Sequence, residues 1–478
     1  MIIGRKREQE ILQNCLNSDK SEFIVIYGRR RVGKTYLVRE FLKHKLTFYS
    51  TGVLGGDRET QLRMWNDELS EIVGADYDYA KNWFDAFRNL RSFIEQNLAD
   101  KKSTTKNGND KITIFLDELP WMATRNSDFL PALDYFWNRW ASSRKDIVLI
   151  ICGSAASWMT DKIINNKGGL HNRMTQSILV KPFTLCECEE YFKHYHIPLT
   201  RYQIAEAYMV FGGIPYYMSL FESKYSLYQN IDNIYFSSDA KLQNEFENVY
   251  KSLYINAEHY IDVVEALAKK GIGLSRSDIV GSLKVSDGGG LTRSLRDLEV
   301  SGFIRKYKSY GQKKRDSLYQ LVDFFSMFDV RFRDNRDNYA GDFWLSFSST
   351  AAYSIWSGFC FEKICLYHVS EIRRKLSILG VLTAVYAWRG KYECSGVQID
   401  LILDRNDNIV NVCEIKFVSG QYTISKANSE EIRNKRSTFA HYVSAKKSVQ
   451  TTMITTFGLK PNMYSSEISS QVTLDDLF

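Results

Sequence analysis

No stretch of this chain is apolar for long enough to cross a bilayer, which takes about 20 residues in a helix. The longest purely apolar run, "IVLIIC" from Ile147 to Cys152, has the length of a buried parallel strand. The N-terminal "MIIGRKREQE" has no apolar segment leading to a small-residue cleavage site, which argues against secretion and predicts a cytoplasmic protein. The eight cysteines are scattered singly, apart from Cys186 and Cys188, and no CxxC pair recurs at zinc-ligand spacing. That pattern argues against a disulfide framework and predicts reduced, mostly buried thiols. Internal repeats and long low-complexity tracts are also missing. A formal net charge of +7 is modest for 478 residues, so it permits nucleic-acid binding without requiring it.

What is present is a chain with 44% hydrophobic content, long enough for three or four compact domains. From Glu22 to about Val180, short apolar strands alternate with amphipathic helices, which predicts a mostly parallel α/β sheet. The expected strands are "EFIVIYG", "LTFYS", "KITIFLDE", "DIVLIICGS" and "SILVKPF", with the polar segment Asp100 to Asp110 as a surface loop before the third. From Leu185 to about Asn256 the periodicity is helical, interrupted at "FGGIPYY", which predicts a small helical subdomain appended to the sheet. Between His259 and Tyr319, a helix, a helix-turn-helix pattern and a hairpin follow one another in the order of a winged helix. From about Thr350 a helix leads back into strands.

"GRRRVGKT" fits G-x-x-x-x-G-K-[ST] and lies between a strand and a helix, where a phosphate-binding loop must lie. The turn formed by Gly28, Arg29, Arg30, Arg31, Val32 and Gly33, continuing into Lys34, Thr35 and Tyr36, offers backbone N–H groups and a positive helix end to phosphates. Lys34 is placed to reach the β and γ positions, and Thr35 to offer its hydroxyl to Mg²⁺. "ITIFLDE" supplies the second part: Asp117 as the metal-side carboxylate and Glu118 as the base that orients attacking water. Ser154, after the next strand, is either a sensor of the γ-phosphate or a helix cap. Arg173 is either an arginine finger, from the same subunit or a neighbour, or a solvated side chain.

These segments, with "IIGRKREQEIL", "FLDELPWM", "LVKPFTLCECEEYF" and "FGGIPYYMSLF", resemble the prokaryotic AAA-related P-loop ATPases of the archaeal-type family, close to the signal-transduction ATPases. The resemblance covers roughly the first half of the chain. It implies ATP and Mg²⁺ as cofactors, adenine contacts from Ile3, Gly4, Arg5 and Glu8, and a helical lid in which Gly213 and Pro215 shape a helix start. It also implies a winged helix and a restriction-endonuclease-like domain after the ATPase.

In the winged-helix segment, Arg293, Arg296, Arg305, Lys306, Lys308, Lys313, Lys314 and Arg315 are interleaved with Tyr307 and Tyr310. Such a basic hairpin either meets phosphates flanking a groove or is a solvated face or an interdomain module. Further on, "VQIDLILDRNDNIVNVCEIKF" has the pattern of a PD-(D/E)xK nuclease hairpin. Alternation puts Glu414 and Lys416 on one strand face, a polar turn brings Asp400 opposite, and the preceding helix offers Glu362. Asp400 and Glu414 could share one metal ion, with Lys416 assisting water attack on a phosphodiester. Ile399 stands where the motif has its proline, and Glu393 and Asp404 look like strand-end and turn residues.

The sequence thus predicts a multidomain α/β protein. Residues 1–184 form a P-loop ATPase core with a parallel sheet, 185–256 a helical lid, 257–345 a winged helix and 346–478 a PD-(D/E)xK nuclease-like domain. The expected partner is nucleic acid, DNA ahead of RNA, with no membrane, and self-association into a homo-oligomer stays open. The rival expectation is a slow nucleotide-dependent switch with an inactive nuclease-like domain, or a winged-helix DNA-binding regulator.

Overall fold

The computed structural model describes residues 1–74, 78–102, 111–165, 169–170, 173–312, 317–338, 342–392 and 395–478. Residues 103–110 of the expected surface loop, and Lys313, Lys314 and Arg315 of the basic segment, lie outside the described residues, as does Glu393. The chain divides into two compact units, Met1–Lys181 with Ser252–Ile255, and Pro182–Lys251 with Asn256–Phe478.

The first unit is built on β1 (Glu22–Tyr27), β2 (Leu46–Thr51), β3 (Ile112–Asp117), β4 (Ile147–Gly153) and β5 (Gln176–Leu179). Their order is β2-β3-β4-β1-β5, and every pairing is parallel. Strands β3 and β4 are buried along their whole length, as runs of Ile, Val and Leu must be when helices cover both faces. The helices Arg58–Val73, Trp83–Lys102 and Phe129–Arg139 pack an aromatic core in which the Trp83 ring meets Trp65 at 5.5 Å and Phe129 at 4.7 Å, both edge to face. Asp57 starts the first of these helices by accepting the Thr60 N–H.

In the second unit, the helices expected as a lid on the parallel sheet group with the C-terminal half of the chain. The buried carboxylate of Glu206, on helix Arg201–Phe211, accepts the hydroxyls of Tyr228 and of Tyr353 from helix Ala351–Tyr367. His368 Nε2 accepts the Leu185 N–H at 3.0 Å, while its Nδ1 bonds the Ile364 carbonyl. A buried carboxylate and imidazole are tolerated only with such partners, so they fix the helical segment to helix 351–367. Gly213, at φ +66°, brings its backbone against the Phe183 carbonyl, where a Cβ would sit 2.3 Å away, and Pro215 opens helix Pro215–Met218.

Helices Ala257–Ala268, Arg276–Leu283 and Gly289–Val300 accompany β6 (Leu274–Ser275), β7 (Ile304–Tyr307) and β8 (Leu318–Leu321), in the order β6-β8-β7. The last sheet contains β9 (Thr383–Tyr392), β10 (Ser395–Arg405), β11 (Ile409–Lys416), β12 (Ser448–Thr455) and β13 (Ser470–Thr473), in the order β13-β12-β11-β10-β9. β9, β10 and β11 pair antiparallel, whereas β11 and β12 are parallel and joined through helix Lys426–Ala440. The segment after β7 does not stand free. Ser309 bridges Ala387 on β9, the Tyr310 N–H donates to the Ala387 carbonyl, and the Tyr310 ring packs on Phe439 at 5.0 Å.

Candidate functional sites

Gly28 follows β1, Asp117 ends β3 and Ser154 follows β4, so all three lie at the carboxyl edge of neighbouring strands. In parallel α/β sheets that edge is where ligands bind. Gly28 has φ +146°, and a Cβ there would lie 2.3 Å from the Val180 carbonyl oxygen. Arg31 and Gly33 also have positive φ, and Gly33 caps helix Lys34–Leu42. A loop with such positive-φ residues leading into a helix start is the backbone form that presents N–H groups to a phosphate. Arg5 braces the loop from outside, its Nη2 donating to the Val32 carbonyl at 3.1 Å.

Lys34 is 5% exposed, and its Nζ makes one hydrogen bond, to the Arg29 carbonyl at 3.0 Å. An ammonium has three donors, so this buried cation keeps capacity for phosphate oxygens. Thr35 Oγ1 donates to Asp117 Oδ2 at 2.6 Å, and Asp117 Oδ1 accepts the Glu118 N–H at 2.9 Å. The residues present therefore fit a nucleotide phosphate chain with Mg²⁺. Glu118 sits in the left-handed region at φ 46°, and its Oε2 accepts both the N–H of Ser154, at 3.1 Å, and its Oγ, at 2.8 Å. Ser154 is thus no helix cap, since Ala155 occupies the N-cap of helix Ala156–Met159. Arg173 is exposed, and among the described residues no hydrogen bond or ion pair ties its side chain to the loop. Tyr36 is half exposed, with its hydroxyl on the Met1 carbonyl.

In the second unit, Leu401 pairs with Cys413, and continuing that register by one step sets Asp400 opposite Glu414. Glu362, on helix 351–367, has its carboxyl pushed up to about 8, first by burial and next by the charge of Asp400. The residues are gathered, but not as a ligand shell. Glu414 is held by Lys416 at 2.9 Å and by Lys435, on helix 426–440, at 2.9 Å, while Gln398 Nε2 donates to Asp400 Oδ1 at 2.6 Å. Among the described residues no three His, Cys, Asp or Glu side chains could hold a metal ion. The expected shared ion at Glu362, Asp400 and Glu414 is therefore not matched, because lysines already neutralise its central acid.

Lys435, Gln398 and Lys363 were not singled out by the sequence pattern. Lys435 carried a weak signal, an i,i+4 pairing with Glu431 that is formed at 2.8 Å. Lys363 is a charge inside an otherwise apolar helix face, and its 2% exposure is legible only in the fold.

Residues 3–221 match the model of a family described as an ATPase domain predominantly from Archaea. An uncharacterized protein of Methanocaldococcus jannaschii, MJECL04, is 26% identical over 87% of this chain and 88% of its own length. An uncharacterized ATP-binding protein of the same organism, MJ0423, is 49% identical over 45 residues, 9% of this chain and 76% of its own. Among solved structures, the Walker-type ATPase PABY2304 of Pyrococcus abyssi is similar in fold, with a TM-score of 0.50 at 18% identity over 69% of this chain and 96% of that one. Among the described residues no helix is long and apolar enough to cross a membrane. Residues 3–221 are thus similar to the ATPase domain that this family model describes, a likeness that supports ATP binding and hydrolysis.

Proposed function

We propose that the protein hydrolyses ATP at Lys34, Thr35, Asp117 and Glu118, and couples that cycle to nucleic acid held by a winged helix and a restriction-endonuclease-like domain. The hydrogen-bonded run Thr35–Asp117–Glu118–Ser154 carries the first half of this reading. Lys34 and the N–H groups of the 28–33 loop bind and orient the β- and γ-phosphates. Glu118, aimed by Ser154, accepts a hydrogen bond from the attacking water and aligns it with the γ-phosphorus. Thr35 and Asp117 would hold Mg²⁺, which when bound would neutralise charge developing on the phosphate oxygens. Arg173 supplies a further cation only if it is brought to that phosphate.

The second half rests on strand order. An antiparallel β9-β10-β11 meander, a crossover helix and parallel β12 follow a helix that bears Glu362, with Asp400, Glu414 and Lys416 at the hairpin. Helix 289–300 leaves Arg293 and Arg296 exposed for phosphate contact. The lysine pair on Glu414 favours binding over cleavage, and with it a second reading, a nucleotide-dependent switch whose nuclease-like domain is inactive.

ATP turnover and cleavage of mixed DNA and RNA with Mg²⁺ or Mn²⁺ test these readings together. ATP turnover should vanish in Lys34→Ala, and unchanged turnover would overturn the first half. Cleavage lost in Lys416→Ala would establish a nuclease. No cleavage with intact salt-dependent DNA binding supports the coupled binding protein, and no nucleic-acid binding at low salt leaves the switch.

A further inference from the structure

Between the β7–β8 hairpin and the β9–β10 edge lies a cavity of about 270 Å³, lined among others by Arg305, Tyr307, Lys363, Arg389, Gln398 and Asp400. Lys363 is 2% exposed and, among the described residues, has no hydrogen-bond acceptor: Glu362 Oε2 is 3.9 Å away and the Phe359 ring centroid 4.3 Å. A buried ammonium without an acceptor is costly unless a ligand supplies one. Arg305 donates through Nε to Gln320 Oε1 at 2.7 Å and stacks on Tyr307 at 4.5 Å. Among the described residues no carboxylate pairs with it and no hydrogen bond occupies its two terminal nitrogens, and the residue lines the cavity. Arg389 reaches Gln398 Oε1 at 3.4 Å, and Gln398 in turn donates to Asp400.

We infer that this cavity binds a phosphate monoester, with Lys363 and Arg305 as its direct ligands and Arg389 at its mouth. Three cations against one lining carboxylate leave two positive charges in excess. A monoester, carrying about −1.5 to −2 at pH 7, matches that excess better than the single charge of an internal phosphodiester. The fork of Arg305 suits two phosphate oxygens, and Lys363 acts as a point charge on a third. The volume falls just below the roughly 300 Å³ of drug-sized sites, room for a phosphate and its sugar rather than a whole dinucleotide. The two sources with this chemistry are a phosphorylated strand end and a free phosphate. The strand arm rests on the nucleic-acid reading above, whereas the free-phosphate arm does not.

The test uses the full chain with saturating ATP to fill the first site. Fluorescence anisotropy compares a 5′-phosphorylated with a 5′-hydroxyl DNA strand, and calorimetry titrates inorganic phosphate. A preference for the phosphorylated end of about tenfold or more, the size of one charge-assisted hydrogen bond, is expected and should disappear in both Arg305→Gln and Lys363→Met. Phosphate uptake lost in the same variants, without a strand preference, assigns the site to a small free phosphate. Equal affinity for both strands together with no phosphate uptake, or a preference that survives both substitutions, would overturn the inference. ATP turnover retained by Arg305→Gln separates loss of the site from loss of the fold, and loss of cleavage alone bears only on the nuclease reading.

Discussion

Ser154 Oγ donates to Glu118 Oε2 at 2.8 Å, joining the residue after β4 to the carboxylate expected to align water. The same oxygen takes the Ser154 N–H, so two donors fix the carboxylate on a residue held in the left-handed backbone region. Ser154→Ala removes the hydroxyl and keeps the amide. Turnover should fall about 10- to 100-fold, the size of one lost hydrogen bond to a charged group. ATP affinity should barely move, since Ser154 holds Glu118 and not Lys34. Steady-state kinetics paired with equilibrium nucleotide binding separates the two, and a change confined to affinity would give Ser154 a phosphate-binding role instead.

Glu68 gives the first unit a stability that depends on pH. Burial raises its carboxyl from the ordinary 4.5 to about 7. The folded chain then holds a proton that the unfolded chain has released between those two values. Its contribution is fully present below pH 4.5 and is lost as pH rises through about 7. Glu68→Gln should therefore raise the melting temperature most above pH 7, with the gain shrinking toward pH 5. A gain independent of pH across that window would refute the assignment.

Tyr353 and Tyr228 share the buried Glu206, and removing either hydroxyl leaves a carboxyl underserved. Tyr353→Phe should cost about 1–3 kcal/mol in denaturant unfolding followed by circular dichroism. Replacing both partners, Tyr353→Phe with Glu206→Leu, should recover part of that loss. An additive double variant would show that the pair does not act as a unit.

Lys435 competes with any cation for Glu414. Lys435→Met should thus strengthen Mn²⁺ binding about tenfold or more, read by calorimetry, because one ammonium no longer neutralises the acid. Binding that stays absent or unchanged would mean that Asp400 and Glu414 are set too far apart to act together.

The phosphate-binding loop was legible because its chemistry is written in eight consecutive residues, from Gly28 to Thr35. The central strands β3 and β4 were legible for a similar reason, since fully buried strands read as nearly unbroken apolar runs. The hairpin and its acids could be read from alternation, although a register shift between Ile399 and Ile402 interrupts β10 beside Asp400. What could not be read depends on contacts far apart in sequence. Lys435 reaches Glu414 from a helix one crossover later, and Tyr353 ties Glu206 across 147 residues. The basic hairpin read as a solvated or phosphate-facing element because its composition says nothing of β9, the strand it meets.

The bridge from Ser309 to Ala387 has a consequence for how the chain keeps to itself. β9 ends its sheet and carries exposed apolar groups, with Leu382 just before it 78% exposed and Val385 41% exposed. An open apolar edge is where one chain adds to another and fibrils begin. The segment after β7 lies across that edge at its middle, so a fragment that starts beyond residue 321 would lose its guard and aggregate more readily than the intact chain.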